Sequence, residues 1–560
     1  MTTLLDAPVR RSVPVPAPGR NLDRLIPAGL FVGALAVYVA ASARWPTEWD
    51  SVNLLFGMDR FDVAEASPHA PGYWLYVAAG RLVRAVTPLS SSASLQAASA
   101  LAAAATVAMA YVAGRALAGR WLGLAAAAVL LTSPFLAFYG SSIGTYPFDA
   151  LASLVLIHLA WRATPGSWHG PAAAAALGLA GGTRQSSVLL LAPVALVAVI
   201  RSLRRAPSPV RLALACAAAG AAGLTVWLVP MGLEQPGGLV VVRDVGARIW
   251  REAVSVSSPL YGAPADGVRY NMGQATGYTL AAVALLLPAA AAGLLLARRA
   301  RNQARAHDDG FHDGPPRTRG LRPPVLLAVA AVPPFLFVTF FHFGKAGYVL
   351  SYLPALVLLL LWPAAALARR PRLAVTGLVA LACAVSALRF AGAPGIVPQA
   401  LVDNGPWFVE SRFGAPYRLT APTLRETDQD VDRYLALGRS FDAGTDELVY
   451  VHLDGGHRFR HAMLTLPQFR MHYLQFGFHE WSAQGREWRR ERDHVLELRP
   501  GSHAVFVVDE PREDITALVS SGVARAVQLE TGPVVYVVPA GVTVMGVQLV
   551  ASAPAPTAPN

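Results

Sequence analysis

The chain has 560 residues, 54% of them hydrophobic and only 15% charged, with a mean hydropathy of +0.41. A soluble globular protein carries about 25% charged residues, so the deficit excludes an ordinary cytosolic enzyme and implies a polytopic membrane protein. The formal charge is +12, but the arginines fall in bursts between apolar runs. That is the positive-inside pattern and not a nucleic-acid footprint, so no nucleic-acid partner is expected.

Residues 1–24 carry Arg10, Arg11, Arg20 and Arg24 and read as a cytoplasmic tail. The apolar run at 25–43 follows with no small-residue cleavage site, as a signal anchor does. Further candidate spans are 92–113, 121–138, 146–161, 171–183, 186–200, 211–232, 277–297, 324–341, 347–368 and 373–390. Segments 171–183 and 186–200 are short, and one long helix is the alternative. Arginine placement favours two crossings. That count puts Arg201/Arg204/Arg205/Arg211, Arg298/Arg299/Arg301/Arg305 with Arg317/Arg319/Arg322, and Arg369/Arg370/Arg372 all on the side of the tail. The expected architecture is therefore mainly α, with about 11 transmembrane helices over 25–395.

The outer face then carries the loop 44–91, a turn at 139–146, the long loop 233–276 and a tight turn at 342–345. Within the first loop, 72–87 is apolar but short and holds Arg81 and Arg84, so it reads as an interfacial helix. Loop 233–276, with Arg243, Arg248, Trp250, Arg251 and Tyr261, reads as a solvated amphipathic helix, and the inner loop 298–320 as mobile. From about residue 396 charged and aromatic residues rise. Strand patterns at 447–453, 503–509, 526–529 and 534–538, with helical patterns at 427–440, 457–466 and 511–521, predict a small extracytoplasmic α/β domain over 396–550. The tail 551–560 is rich in Pro and Ala and reads as disordered.

Both cysteines, Cys216 and Cys383, lie inside apolar runs, which leaves no disulfide framework or zinc motif. His452, His457 and His461 include an i, i+4 pair, but the carboxylates near them are scattered and give no ligand set. Glu48 and Asp50 are different. They stand a few residues past the first span, flanked by Trp45 and Trp49, and acidic groups at a membrane boundary are functional candidates unless simply solvated. Lys345 is the only lysine of the chain.

The stretch EWDSVNLLFGMDRFDVAEASPHAPGYWLYVAAGRL (48–82) resembles the first outer loop of the GT-C superfamily of membrane glycosyltransferases. The likeness is to the protein O-mannosyltransferase and aminoarabinose transferase type, which uses polyprenyl-phosphate sugars. In that family an acidic motif follows the first span, then a short helix, then an HPP-aromatic segment. Asp50 falls on the acidic position and His69-Ala70-Pro71-Gly72-Tyr73 on the HPP segment, with Ser51 and Ala70 departing from the family pattern. SSIGTYPFDALASL (141–154), with Tyr146 and Asp149, is similar to the family's outer start of the fourth span. GLAGGTRQSSVLLLAPV (178–194) is similar to its Gly-rich turn with one basic residue, here Arg184, and HFGKAGYVLSYLPALVLLL (342–360) to its late basic-x-x-Tyr turn.

What the resemblance implies is a GT-C fold and transfer of a sugar, with inversion, from a polyprenyl-phosphate donor. The acceptor would be a glycan, glycolipid or protein at the outer face of the plasma (inner) membrane. Asp50 is then the candidate base, with Glu48 as the alternative carboxylate. Arg184, Lys345 and His342 are candidates for the departing phosphate, and His69, Tyr73, Tyr146, Asp149 and Tyr348 for the rest of the substrate pocket. Some relatives use a divalent cation, but no ligand set for one is readable, so no cofactor is assigned. Ordinary roles stand beside these: Lys345 as a snorkelling interfacial lysine, Arg184 as a hairpin-turn residue, Asp149 as a partner to a neighbouring span. The alternative class is a multi-pass transporter or lipid flippase. Transporters show paired repeats and mid-membrane polar groups; here no repeat is visible and the candidates gather at one face.

Overall fold

The computed structural model describes residues 22–306, 321–342, 344–396, 418–451, 457–475, 479–484, 487–490, 494–508, 512–532 and 534–552. Its first part is helical throughout: α1 (Leu22–Ala40), α2 (Trp49–Asp59), α3 (Trp74–Val86), α4 (Ser91–Ala118), α5 (Arg120–Thr132), α6 (Pro134–Gly140), α7 (Tyr146–Arg162) and α8 (His169–Thr183). There follow α9 (Ser186–Leu203), α10 (Pro209–Glu234), α11 (Gly238–Ser257), α12 (Ala265–Val283), α13 (Leu287–Ala306), α14 (Pro323–Phe340), α15 (Leu353–Ala365) and α16 (Arg369–Ala391).

All eleven predicted apolar segments are helical. Among the described residues six helices are long and apolar enough to cross a membrane, or seven if α5 and α6 form one bent span, and α1 and α15 are shorter apolar helices. The chain is a multi-pass membrane protein. Two of the apolar segments break beside a proline, which lacks a backbone donor. Segment 121–138 bends by 61° where Pro134 opens α6, and segment 277–297 passes through a 3₁₀ turn at Ala284–Leu286 just before Pro288. Segments 171–183 and 186–200 are separate helices packed against each other as a hairpin, as the arginine count required.

Segment 72–87 forms α3, 13 residues long and too short to cross. Loop 233–276 holds the helix α11, as read, but α12 begins at Ala265, twelve residues before the predicted span. Similarly α13 runs on to Ala306 into the predicted inner loop, whose residues 307–320 lie outside the described set. The predicted disordered tail begins at Ala551, which ends a strand; 553–560 lie outside the described residues, as do 1–21 of the N-terminal tail.

The C-terminal domain follows α16. It contains α17 (Ala421–Ser440), β1 (Asp446–Val451), α18 (His457–Thr465), β2 (Arg470–Gln475), β3 (His479–Gln484), β4 (Glu487–Arg490), β5 (Val495–Leu498) and β6 (His503–Val507). It ends with α19 (Glu513–Ser520), β7 (Arg525–Gln528), β8 (Val534–Pro539), β9 (Thr543–Val544) and β10 (Val547–Ala551). A seven-stranded sheet runs β4-β3-β2-β1-β6-β8-β7, with β2-β1-β6 parallel and both flanks antiparallel; β5-β10-β9 form a second, three-stranded sheet. All six residues of β1 are buried, which fits a central strand covered on both faces.

Between the two parts lies α2. Val52 and Phe56, together with the half-buried Trp49, pack into the core of the C-terminal domain. Leu54, Leu55 and Met58 pack instead with Tyr76, Leu95 and Ile143 of the helical part. The spacing 49, 52, 56 puts the first set on one helical face, so α2 is shared by both cores.

Candidate active site

The site is built at one end of the helical bundle, where the α1–α2, α2–α3, α6–α7, α8–α9 and α14–α15 junctions meet. Glu48 occupies the N-cap position of α2 but makes no side-chain cap bond; its carboxylate accepts a hydrogen bond from Tyr139 instead. Asp50 sits in the first turn of α2, where the helix dipole favours an anion. Ser51 Oγ donates to the Ile143 carbonyl at 2.7 Å and ties this turn to the 139–146 turn.

Lys345 Nζ lies 3.5 Å from Asp50 Oδ2, and His69 Nε2 lies 3.7 Å from Oδ1. Asp50 is deep in an open hollow, since 33% of its side chain remains accessible. The lysine is placed by its neighbours. Asn271 Oδ1 accepts from the Gly344 amide at 2.6 Å, while its Nδ2 donates to the Val338 and Thr339 carbonyls at 3.2 and 3.0 Å. A Cβ on Gly347 would stand 2.6 Å from the Tyr146 ring, so only glycine lets this turn close on Tyr146.

The His69–Tyr73 segment is held with similar economy. Gln185 Nε2 donates to the Pro71 carbonyl at 3.0 Å, which joins the segment to the α8–α9 turn. Gly72 has φ +110 and a Cβ there would crowd Met231, Phe61 and Val63. Tyr73 takes the left-handed conformation, φ 46, which costs a non-glycine residue about 1–2 kcal/mol. Its ring rests on His69, centroids 4.8 Å apart.

Arg184 is buried, with its guanidinium 3.3 Å from Asp149 Oδ2, 3.9 Å from the Tyr348 ring centre and 4.8 Å from that of Tyr146. Ser187 Oγ donates to the other oxygen of Asp149. Asp149 therefore does pair with a neighbouring helix, and the pair fixes Arg184 in a cage of tyrosines. His342 lies behind Tyr348, ring centroids 5.1 Å apart, and stacks with Phe337 and Trp250 at 6.0 and 5.9 Å.

The two acidic groups are set apart electrostatically. Burial pushes the Glu48 carboxyl up to about 7 against the pull of Lys345, with the Asp50 charge adding to the rise and Tyr139 opposing it. Burial raises Asp50 as well, but His69, Lys345 and Arg184 outweigh it and hold that carboxyl at about 2. Burial also holds His69 below its usual range despite Asp50, and Lys345, Arg184 and Arg460 reinforce this. Pairs of groups driven apart in this way can divide acid and base roles.

Of the sequence-derived candidates, Asp50, Glu48, His69, Tyr73, Tyr146, Asp149, Arg184, Lys345 and Tyr348 come together around one hollow, with His342 at its back. Sequence reading missed Tyr139, Asn271 and Tyr278, the last of which faces Glu48 and Lys345. Tyr139 lay in a named turn; Asn271 sits on the part of α12 read as loop, and Tyr278 at the start of the predicted span 277–297. A divalent cation does not fit this donor set. Lys345 and His69 face the Asp50 oxygens, and no group of three or more His, Cys, Asp or Glu among the described residues could hold a metal. Of the three C-terminal histidines, His452 lies outside the described residues, and His461 Nε2 is 2.8 Å from the Pro46 carbonyl.

No protein-family profile and no curated protein sequence matches the chain. Two solved structures do match in three dimensions. ArnT from Cupriavidus metallidurans bound to undecaprenyl phosphate aligns over 92% of this chain and 98% of its own, with a TM-score of 0.51 at 15% identity. The same protein in its apo state aligns over 91% and 97%, with a TM-score of 0.50 at 15% identity. This chain has the ArnT fold. The mainly helical architecture expected from the sequence is thus present over nearly the whole length, together with the strand-containing C-terminal part.

Proposed function

We propose that this chain is a membrane glycosyltransferase that moves a sugar from a polyprenyl-phosphate donor to a glycan, glycolipid or protein acceptor in cell-envelope assembly. The observation that carries the reading is the meeting of Asp50 with Lys345 and His69, and of Arg184 close by, in one hollow built from five separate junctions. The fold supports it, because ArnT of the same architecture has been crystallised with undecaprenyl phosphate. The arginine clusters at the opposite end support an orientation with the amino terminus cytoplasmic and the hollow and C-terminal domain outside.

In the reaction, the anomeric C–O bond to the lipid phosphate breaks as an acceptor oxygen attacks from the opposite face, which inverts the anomeric carbon. The acceptor proton passes to a carboxylate, and polyprenyl phosphate leaves with its negative charge. Lys345 and Arg184 are fixed cations that stabilise that growing charge, and such preorganised groups typically contribute about 2.7–4 kcal/mol each. Asp50 is the residue for the acceptor side, with Glu48 next to it better matched in basicity near neutral pH.

The test is transfer from radiolabelled polyprenyl-phosphate sugars by purified protein in lipid, comparing the wild type with Asp50→Asn. Transfer by the wild type and its loss in a folded Asp50→Asn variant is the expected result. Full activity of that variant removes Asp50 from the mechanism.

A further inference from the structure

Arg460 belongs to the C-terminal domain, yet it has no exposed surface and touches the acidic loop at several points. Its guanidinium lies 5.6 Å from the centre of the Trp49 ring and 5.9 Å from that of Phe56. Nη2 donates to the Glu65 carbonyl at 3.4 Å, which places both ends of the segment 49–65 under one side chain. Neighbouring contacts reinforce the grip. His461 Nε2 meets the Pro46 carbonyl at 2.8 Å, and Trp49 packs against the stacked pair Phe459 and Tyr473 with centroids at 6.1 and 5.5 Å.

A buried arginine is expensive to desolvate, so its retention in a core needs compensating contacts. Here burial brings the group down to about 9, with Glu65 and Tyr473 opposing, and leaves it charged at neutral pH. Within its own domain Arg460 reaches the Met463 sulfur at 3.5 Å and Tyr473; the aromatic faces of residues 49 and 56 and the Glu65 carbonyl, outside that domain, add to this compensation. Trp49 is the residue before Asp50, so a shift of the Trp49 ring carries the first turn of α2 with it.

We propose that Arg460 is a positioning residue for the acidic site: by clamping Trp49, Phe56 and the Glu65 carbonyl, it fixes where Asp50 stands against Lys345 and His69. The C-terminal domain is then part of the site's framework. The proposal rests on the glycosyltransferase reading only for its effect on turnover; the geometric claim is separate.

Lys345 provides the readout, because it is the only lysine in the chain. An amine-directed acylating reagent, with the labelled peptide mapped, reports on it in the full protein in nanodiscs. Asp50, Tyr348, Glu48 and Tyr73 raise the basicity of Lys345 against the effect of burial, while His69 and Tyr278 also face it. Moving Asp50 away frees the amine. Arg460→Leu is expected to speed Lys345 labelling at pH 8 by about tenfold, equivalent to one unit of basicity, and Asp50→Asn to do the same directly. Trp49→Leu tests the contact from its other side if Arg460→Leu fails to fold. Glu447→Gln, a buried change elsewhere in the same domain, is expected to lower the melting temperature with labelling unchanged, so a merely structural loss is distinguished.

Folded Arg460→Leu and Trp49→Leu variants that label at the wild-type rate overturn the proposal. In the transfer assay the Arg460→Leu variant is expected to lose about tenfold in kcat with donor KM little changed. If the wild type transfers no sugar while the labelling shift is present, the positioning role stands and the glycosyltransferase reading fails.

Discussion

Two clusters in this molecule set a carboxylate among cationic groups, one in the C-terminal sheet and one at the end of the helical bundle. Around Glu447 the geometry is closed. His472 Nε2 lies 2.6 Å from Oε2, Oε1 accepts from the Arg499 amide and Nε at 2.7 and 2.9 Å, and neither Glu447 nor His472 has exposed surface. Around Asp50 the cations stand off at 3.5 and 3.7 Å and a third of its side chain is accessible. Charge-assisted hydrogen bonds at full strength are shorter than this. The first cluster has used its hydrogen-bonding capacity on itself. The second has kept capacity for something that enters the hollow, as the proposed substrate site requires.

The contrast is broken or sharpened by exchanging the two charges. Asp50→Asn is expected to lower kcat by about 10²–10⁴-fold, the range of a lost general base, with a smaller change in melting temperature than Glu447→Gln causes. Glu447→Gln should do the reverse. It leaves Arg499 and Arg470 facing a neutral group and is expected to destabilise the protein by about 3 kcal/mol, with kcat retained below the melting temperature. Burial raises Glu447, but the His472 hydrogen bond and charge, the Arg499 amide and Arg470 outweigh it and bring the carboxyl from 4.5 to about 2. A depressed acid stabilises the fold above its unfolded value, so this contribution is present above about pH 4.5 and lost as pH falls toward 2. Melting curves of wild type and Glu447→Gln should converge over that interval; parallel curves would place the charge elsewhere.

A third effect separates the two carboxylates within the open cluster. Glu48, raised to about 7, gains its negative charge as pH rises through neutrality. If it takes the acceptor proton, kcat should rise about tenfold between pH 6 and 8, and Glu48→Gln should flatten that limb. A limb that survives the substitution assigns the titration to another group.

Much of this was legible in the chain because the signals are local. Apolar runs and arginine bursts gave the helices and the α8–α9 hairpin, and the order of Asp50, His69, Arg184 and Lys345 gave the set that meets in the hollow. The strands β1, β6, β7 and β8 were visible too. β2 to β4 were not, because RMHYLQ, HEWSAQ and EWRR carry charges and lack a clean alternation. The start of α12 was hidden for a similar reason: ADGVRYNMGQATGY is polar, and its helix is held by Asn271 bonding across to α14. Arg460 meets Trp49 across more than 400 residues of sequence, and no short-range pattern records a contact of that kind.

The smallest expected effect tests the far end of α2. Arg81 Nε and Nη2 donate to the Met58 and Gly57 carbonyls at 2.9 and 2.8 Å, and its Nη1 pairs with Glu234 at 2.5 Å. These are carbonyls that the last turn of a helix leaves without intrahelical partners. Arg81→Ala removes two such bonds and is expected to cost about 1–2 kcal/mol of stability. Gly57 is seven residues from Asp50, roughly 10 Å along the axis at 1.5 Å per residue, so kcat should fall by less than about tenfold. A loss of turnover as large as that of Asp50→Asn would mean that α2 moves as one rigid lever pinned at both ends. The chemistry could then not be assigned to its first turn from the open geometry there alone.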